Sequence, residues 1–165
     1  AASMTHYQTE PADIRWTEDR PASPRFEDHY WAIGDPSKEK AFVFPGQHDL
    51  EARWQTKQHF TIVELGFGFG HNFLATAEAF LQAKPSGILH YFAIDQFPIS
   101  RATLDQYWRS RGHPLYERMI ETYPDLISRD TAVTAGKTLT EGGCALRLRP
   151  ALCAVSLAVS ASRAR

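Results

Sequence analysis

The sequence predicts an α/β fold, the opening of a doubly wound parallel sheet behind a short β-rich segment. Three observations carry this. A β-branched apolar run, Phe60-Thr61-Ile62-Val63, leads into glycines at alternate positions, Gly66, Gly68 and Gly70. An amphipathic helical pattern follows, and then a second apolar run that ends in Asp95. Strand, glycine loop, helix, strand and helix is the order in which such sheets begin.

Taken in order, residues 1–59 are punctuated by Pro11, Pro21, Pro24, Gly34, Pro36, Pro45 and Gly46. Between them lie β-prone runs at 13–16, 25–33, 40–44 and 50–54, which read as short strands and hairpins. Trp16, Trp31 and Trp54 read as packing residues. The run at 60–63 is a buried strand. Phe73, Leu74, Ala77, Phe80 and Leu81 recur at helical spacing, and Lys84-Pro85-Ser86-Gly87 stops that helix. Residues 89–94 form the second strand. Ser100 is the N-cap of a helix through Leu104 and Trp108, closed by Gly112. Pro114 opens a further helix through Tyr116, Met119 and Ile120, which Tyr123-Pro124 ends.

Composition sets the bounds. The 165 residues suit one domain, and 43% apolar with 22% charged residues argues against disorder. A net charge of −1 excludes a strongly basic nucleic-acid binder. Two cysteines, Cys144 and Cys153, make neither a disulfide scaffold nor a zinc ribbon and fit a reducing, cytoplasmic setting. No apolar run is long enough for a membrane span, and the first ten residues lack an export signal pattern. His29, His48, His90 and His113 show no metal-ligand spacing, so no metal is expected.

The informative stretch is Glu64-Leu65-Gly66-Phe67-Gly68-Phe69-Gly70. Its glycines let the backbone turn sharply and let a ligand approach the main chain. The helix behind it offers unpaired N–H groups. Asp95 ends the next strand, 25 positions after Gly70, where an acid accepts hydrogen bonds from ribose hydroxyls. A nucleoside-bearing cofactor is therefore the default ligand. The dinucleotide pattern G-x-G-x-x-G needs glycine at 71, where His71 stands. Glu64 would also repel a pyrophosphate. S-adenosylmethionine carries a sulfonium and an amino group and no phosphate, so it is the preferred reading. A nicotinamide or flavin cofactor comes second, and a glycine turn without a ligand third.

These residues also resemble a family. Glu-Leu-Gly-Phe-Gly-x-Gly-x-Asn-Phe at 64–73, followed by Phe97-Pro98, is similar to the methyltransferase domains of the bacterial tRNA 5-methylaminomethyl-2-thiouridine biosynthesis (MnmC-type) family. Arg25-Phe26-Glu27-Asp28-His29-Tyr30-Trp31 resembles that family's Arg-Phe-Asp-Asp-Val-Tyr-Phe segment. Phe42-Val43-Phe44, Gly46-Gln47-His48-Asp49-Leu50 and Arg53-Trp54 resemble its next segment. The resemblance runs over about residues 6–125. It implies a partial class I, Rossmann-like, S-adenosylmethionine-dependent methyltransferase sheet. The implied reaction moves a methyl group to the aminomethyl nitrogen of a modified wobble uridine, with tRNA as the substrate. The implied cofactor-binding set is Glu64, Gly66, Phe67, Gly68, Gly70, Asn72, Asp95 and Gln96. Asp95 and Gln96 stand where the family usually has Glu and Lys, and Phe69 and His71 where Thr and Leu are common. A carboxylate near the substrate can take the amine proton. The family's Asp-Gly-Phe segment and its Gly-Asp after the third strand are absent from this sequence, so the catalytic residues stay unassigned. In the family the methyltransferase is commonly fused to a flavin-dependent oxidase. FAD is expected only in that fused domain, which 165 residues cannot hold.

Three parts follow from this reading: 1–59, β-rich; 60–130, the N-terminal half of the methyltransferase domain; and 131–165, an anomalous tail. After Glu141 there is no acid, only Arg147, Arg149, Arg163 and Arg165, while residues 1–141 hold 14 basic and 19 acidic side chains. The small-residue and arginine bias resembles out-of-frame translation of a GC-rich region; a disordered tail or a lone Ala-rich helix are the alternatives. Two further functional classes stay open. One is a nicotinamide- or flavin-dependent oxidoreductase fragment. The other is a non-enzymatic truncated product whose half-sheet leaves an open edge.

Overall fold

The computed structural model describes residues 10–18, 20–31, 49–95, 97–123 and 153–160, with residues 122 and 153–160 given by backbone alone. The architecture is mixed α/β. Three short strands, β1 (Arg15–Thr17), β2 (Arg20–Ser23) and β3 (Asp28–His29), make an antiparallel meander in the order β1-β2-β3. Two helices flank the next strand: α1 (Leu50–Gln55), then β4 (His59–Leu65), then α2 (His71–Ala83). After β5 (Ile88–Asp95) come α3 (Arg101–Arg111), α4 (Tyr116–Thr122) and β6 (Cys153–Ser160). The second sheet has the order β4-β5-β6. β4 and β5 are parallel, with Phe60 opposite Leu89 and Glu64 opposite Ala93, and β6 lies antiparallel to β5.

Most elements form where the pattern places them. Gly70 starts α2 and left-handed Lys84 ends it. The Ser100 Oγ accepts the Thr103 N–H at 3.2 Å at the start of α3, and Gly112 closes that helix. One face of α2 buries Phe73, Leu74, Ala77 and Phe80 against Leu89, Tyr91 and Ala93 of β5. Each large apolar side chain buried there contributes roughly 1.5–3 kcal/mol.

Three expectations change. Residues 50–54, read as a strand, belong to helix α1. Leu50 and Trp54 are four apart and both buried, while Glu51 and Arg53 are exposed. Helix-forming Leu, Glu, Ala, Arg and Gln decide the local state, and the tryptophan that suggested a strand is the anchor of a helical face. The 25–33 run shortens to Asp28–His29, because residues 24–27 form the turn that returns the chain to β2. Residues 153–160 form a strand, although the sequence there shows no clear strand or helix period. Its backbone groups pair with β5, so pairing rather than side-chain pattern fixes the element. The 40–44 run lies outside the described residues.

The meander is tied to the sheet by the Ala12 N–H, which donates to the Pro98 carbonyl at 2.9 Å just beyond β5. This link sets the meander beside the glycine loop. Among the described residues no helix is long and apolar enough to cross a membrane.

Candidate functional site

A cleft of about 430 Å³ opens at the carboxyl ends of β4 and β5. Its floor is the loop from Glu64 to Phe69, and its far wall comes from the meander, through Asp13, Asp28, Tyr30 and Trp31. Crevices at the carboxyl ends of parallel strands are where open α/β sheets hold ligands. The volume lies in the range of small-molecule sites.

The loop is held from several sides. The Gly66 N–H donates to the Ile94 carbonyl at 2.7 Å, and the Gly70 N–H to the Phe67 carbonyl at 3.0 Å. Trp108 Nε1 donates to the Phe69 carbonyl at 2.8 Å. Asp95 acts on the same loop. Its Oδ2 accepts from the Phe67 and Gly68 N–H groups at 2.9 and 3.2 Å, and its Oδ1 accepts from the Phe97 N–H at 3.0 Å. A carboxylate offers about four lone-pair sites, so these three bonds leave little capacity for a ribose diol. A ligand that binds Asp95 through both hydroxyls must take over one of the backbone bonds.

Glu64 is buried beneath the cleft. Its Oε1 accepts from Asn72 Nδ2 and its Oε2 from the Tyr91 hydroxyl at 2.8 Å. Burial, the Glu64 charge and this hydrogen bond push the Tyr91 phenol well above its usual range, so it stays a donor. The Asn72 Oδ1 is buried with no hydrogen-bond partner. A buried polar atom without a partner is destabilising and marks a place where a donor group fits.

Tyr30 stands over the loop, 3.4 Å from where a Cβ on Gly68 would lie. Burial raises its phenol, and Asp95 and Asp13 raise it further, so the hydroxyl keeps its proton. Behind the loop sits an aromatic cluster in which Trp31, Phe69, His71, Tyr107 and Trp108 pack with ring centroids 4.6–5.5 Å apart. His71 is buried there, with its Nε2 2.8 Å from the Tyr107 hydroxyl. The position that breaks the dinucleotide pattern is therefore buried, packed into the aromatic cluster at the edge of the cleft that it also lines. Trp54 and Trp31 are buried as well, while Trp16 is 48% exposed and packs on Phe69 and Tyr107.

No family model matches the chain. Curated proteins do match. The tRNA 5-methylaminomethyl-2-thiouridine biosynthesis bifunctional protein MnmC of Magnetococcus marinus is 34% identical over 142 residues, 83% of this chain and 20% of that protein. The protein of the same name from Marinobacter nauticus is 34% identical over 84% of this chain and 22% of its own length. That of Aromatoleum aromaticum is 39% identical over 71% of this chain and 19% of its own length.

The chain is a relative of MnmC.

It spans about a fifth of the length of the MnmC proteins it matches. Of the cofactor-binding residues that the MnmC-type resemblance implies, Glu64, Gly66, Phe67, Gly68, Asn72 and Asp95 line the cleft. Gly70 lies behind it as the N-cap of α2. Gln96 is outside the described residues, as is His48. The meander's contribution went unassigned: Asp13, Asp28 and Tyr30 line the same cleft. For Asp28 and Tyr30 the signal available was the 25–31 segment, which carries part of the MnmC resemblance without assigning a role to any one residue; Asp13 lies outside it. Among the described residues no group of three or more His, Cys, Asp or Glu side chains is placed to hold a metal ion.

Proposed function

We propose that this chain binds S-adenosylmethionine in the cleft above the glycine loop. On this reading the fold is the first part of a class I, Rossmann-like methyltransferase sheet. The reaction it serves is methyl transfer to the aminomethyl nitrogen of a modified wobble uridine in tRNA. The observation that carries the proposal is the charge of the cleft. Asp13, Asp28, Glu64 and Asp95 line it, and among the described lining residues Arg25 alone supplies a guanidinium. Four carboxylates around a glycine loop favour a ligand that carries a sulfonium and an ammonium, and repel a pyrophosphate. The MnmC names support the tRNA part of the reading.

The donor fits the residues present. Asn72 Oδ1 accepts from its amino group, the loop at Gly66 and Gly68 leaves the main chain open to it, and Asp95 exchanges backbone bonds for ribose hydroxyls. When bound, the donor supplies an electrophilic methyl group. The chain's own contribution is alignment and electrostatics. Tyr30, Phe67 and Phe69 wall off water, and Asp13 and Asp28 hold positive charge near the reacting centre. No Asp-Gly-Phe segment occurs in this sequence, so the proposal assigns it the donor-binding part and weak or no transfer.

Calorimetric titration of the 165-residue chain with S-adenosylmethionine and, separately, with NAD tests this. One equivalent of S-adenosylmethionine binds and NAD does not. Asp95→Asn, which keeps the shape and loses the charge, weakens binding by about tenfold. Methyl transfer to tRNA bearing the aminomethyl group stays near background. Tight NAD binding with no uptake of S-adenosylmethionine would replace the proposal with the oxidoreductase reading.

A further inference from the structure

The mouth of the cleft carries a feature that donor binding leaves unused. Phe26, in the turn between β2 and β3, is 63% exposed and lines the cleft. Its ring centroid lies 5.9 Å from that of Phe97. The Arg25 guanidinium sits 4.1 Å from the Phe97 ring centroid, on its face. The turn that presents Phe26 is a fixed one. Ser23 pairs with Asp28 across it, Asp28 Oδ1 accepts the His29 N–H at 2.7 Å, and Glu27 holds a left-handed φ of 52°. That conformation is disfavoured for a residue with a side chain. Phe97 is fixed through its N–H on Asp95. Two aromatic rings and an arginine are thus held at the rim while one ring stays open to solvent.

We propose that Arg25, Phe26 and Phe97 form the seat on which an unstacked base of a single-stranded RNA loop stacks at the cleft mouth. The inference rests on the donor-site reading, which places the methyl group deeper in the same cleft. Aromatic rings with an arginine plane are how proteins take bases from single strands, because every base has a π-face. The charge pattern assigns the orientation. Asp13 and Asp28 inside the cleft repel phosphate, so the backbone stays outside beside Arg25 and the base points inward. An aminomethyl substituent on that base meets those carboxylates, one of which takes its proton so that the nitrogen lone pair is free. The Arg25–Glu10 ion pair, 3.6 Å long and exposed on both sides, is weak enough to yield to a phosphate.

Fluorescence anisotropy of the 165-residue chain with an end-labelled RNA hairpin carrying a single-stranded loop, and with the blunt duplex of its stem, tests the seat. The hairpin binds more tightly than the duplex. Phe26→Ala weakens hairpin binding by roughly 5- to 100-fold, and Phe26→Trp, which restores a ring, returns it to within about twofold of the parent. Arg25→Gln lowers the salt dependence of binding by about one phosphate contact. Equal affinity for duplex and hairpin, or a Phe26→Ala protein that binds the hairpin as the parent does, overturns the proposal. A Phe26→Trp protein as weak as Phe26→Ala, with the parent's melting temperature, overturns it too. Titration of the parent with S-adenosylmethionine alone keeps the two readings apart: its failure removes the donor, and the hairpin data still judge the seat.

Discussion

At Gly70 two demands coincide. Its φ of 77° is left-handed, and a Cβ there would lie 2.9 Å from both Met119 Sδ and Phe67 Cζ. Gly66 has a similar φ of 83°, yet a Cβ would meet nothing within 4 Å. Conformation alone therefore requires glycine at 66, and conformation plus packing requires it at 70. Gly66→Ala is expected to destabilise the protein by about 1–2 kcal/mol, and Gly70→Ala by about 1–3 kcal/mol more. Urea denaturation of both variants checks the order. Equal losses would show that Met119 and Phe67 move aside at no cost. The glycine pattern itself was legible in the sequence, because turn geometry is local. The difference between the two glycines was not, since Met119 reaches Gly70 only when α4 packs behind the loop.

At the scale of elements, β4 and β5 were legible from their β-branched and apolar runs, and α2 and α3 from periodicity, cap and stop residues. Helix α1 was misread because six residues are too few for periodicity to separate a helix from a strand. A pair of histidines shows what strand pairing adds. His59 Nδ1 and His90 Nε2 lie 3.1 Å apart across β4 and β5, with the rings stacked at 5.4 Å. Partial burial, and then the neighbouring His59, lower the His90 pKa. The His113 pKa is lowered by burial, a change that Glu78 only partly offsets. In both cases the unfolded chain binds protons more readily than the folded one. Their contribution to stability is full above about pH 6.5, the unperturbed histidine value, and is lost as pH falls toward the lowered folded values. The melting temperature should therefore drop on acidification through that window, and His90→Gln should flatten the drop. A profile identical in parent and variant would count against the pair.

For the whole molecule, the sheet has one dressed face and one bare face. α2 covers Leu89, Tyr91 and Ala93, whereas Val63 is 63% and Leu65 83% exposed, and Phe92 is 37% exposed. No described helix covers that second side. Parallel strands are usually buried on both faces, and a contiguous apolar patch favours association. Sedimentation velocity at rising concentration should show self-association, reduced in a Val63→Thr, Phe92→Thr double variant. A parent that stays monomeric at high concentration would show the face to be tolerated.

The sequence by itself determined the βαβ order, the glycine loop, the acid at the end of the second strand and the resemblance to MnmC-type proteins. Each of these depends on residues close together in the chain, or on motifs that stand unbroken in it. Tertiary structure alone decided the wall of the cleft, the place of His71 in the core, the engagement of Asp95 with the loop N–H groups and the pairing of β6. Those contacts join segments far apart in sequence. The cleft wall forms only when the meander, tied to the sheet by the bond from Ala12 to Pro98, lies over the glycines. The other contacts need α3, β5 or β6 to pack beside the loop or the sheet, and no local period encodes those approaches.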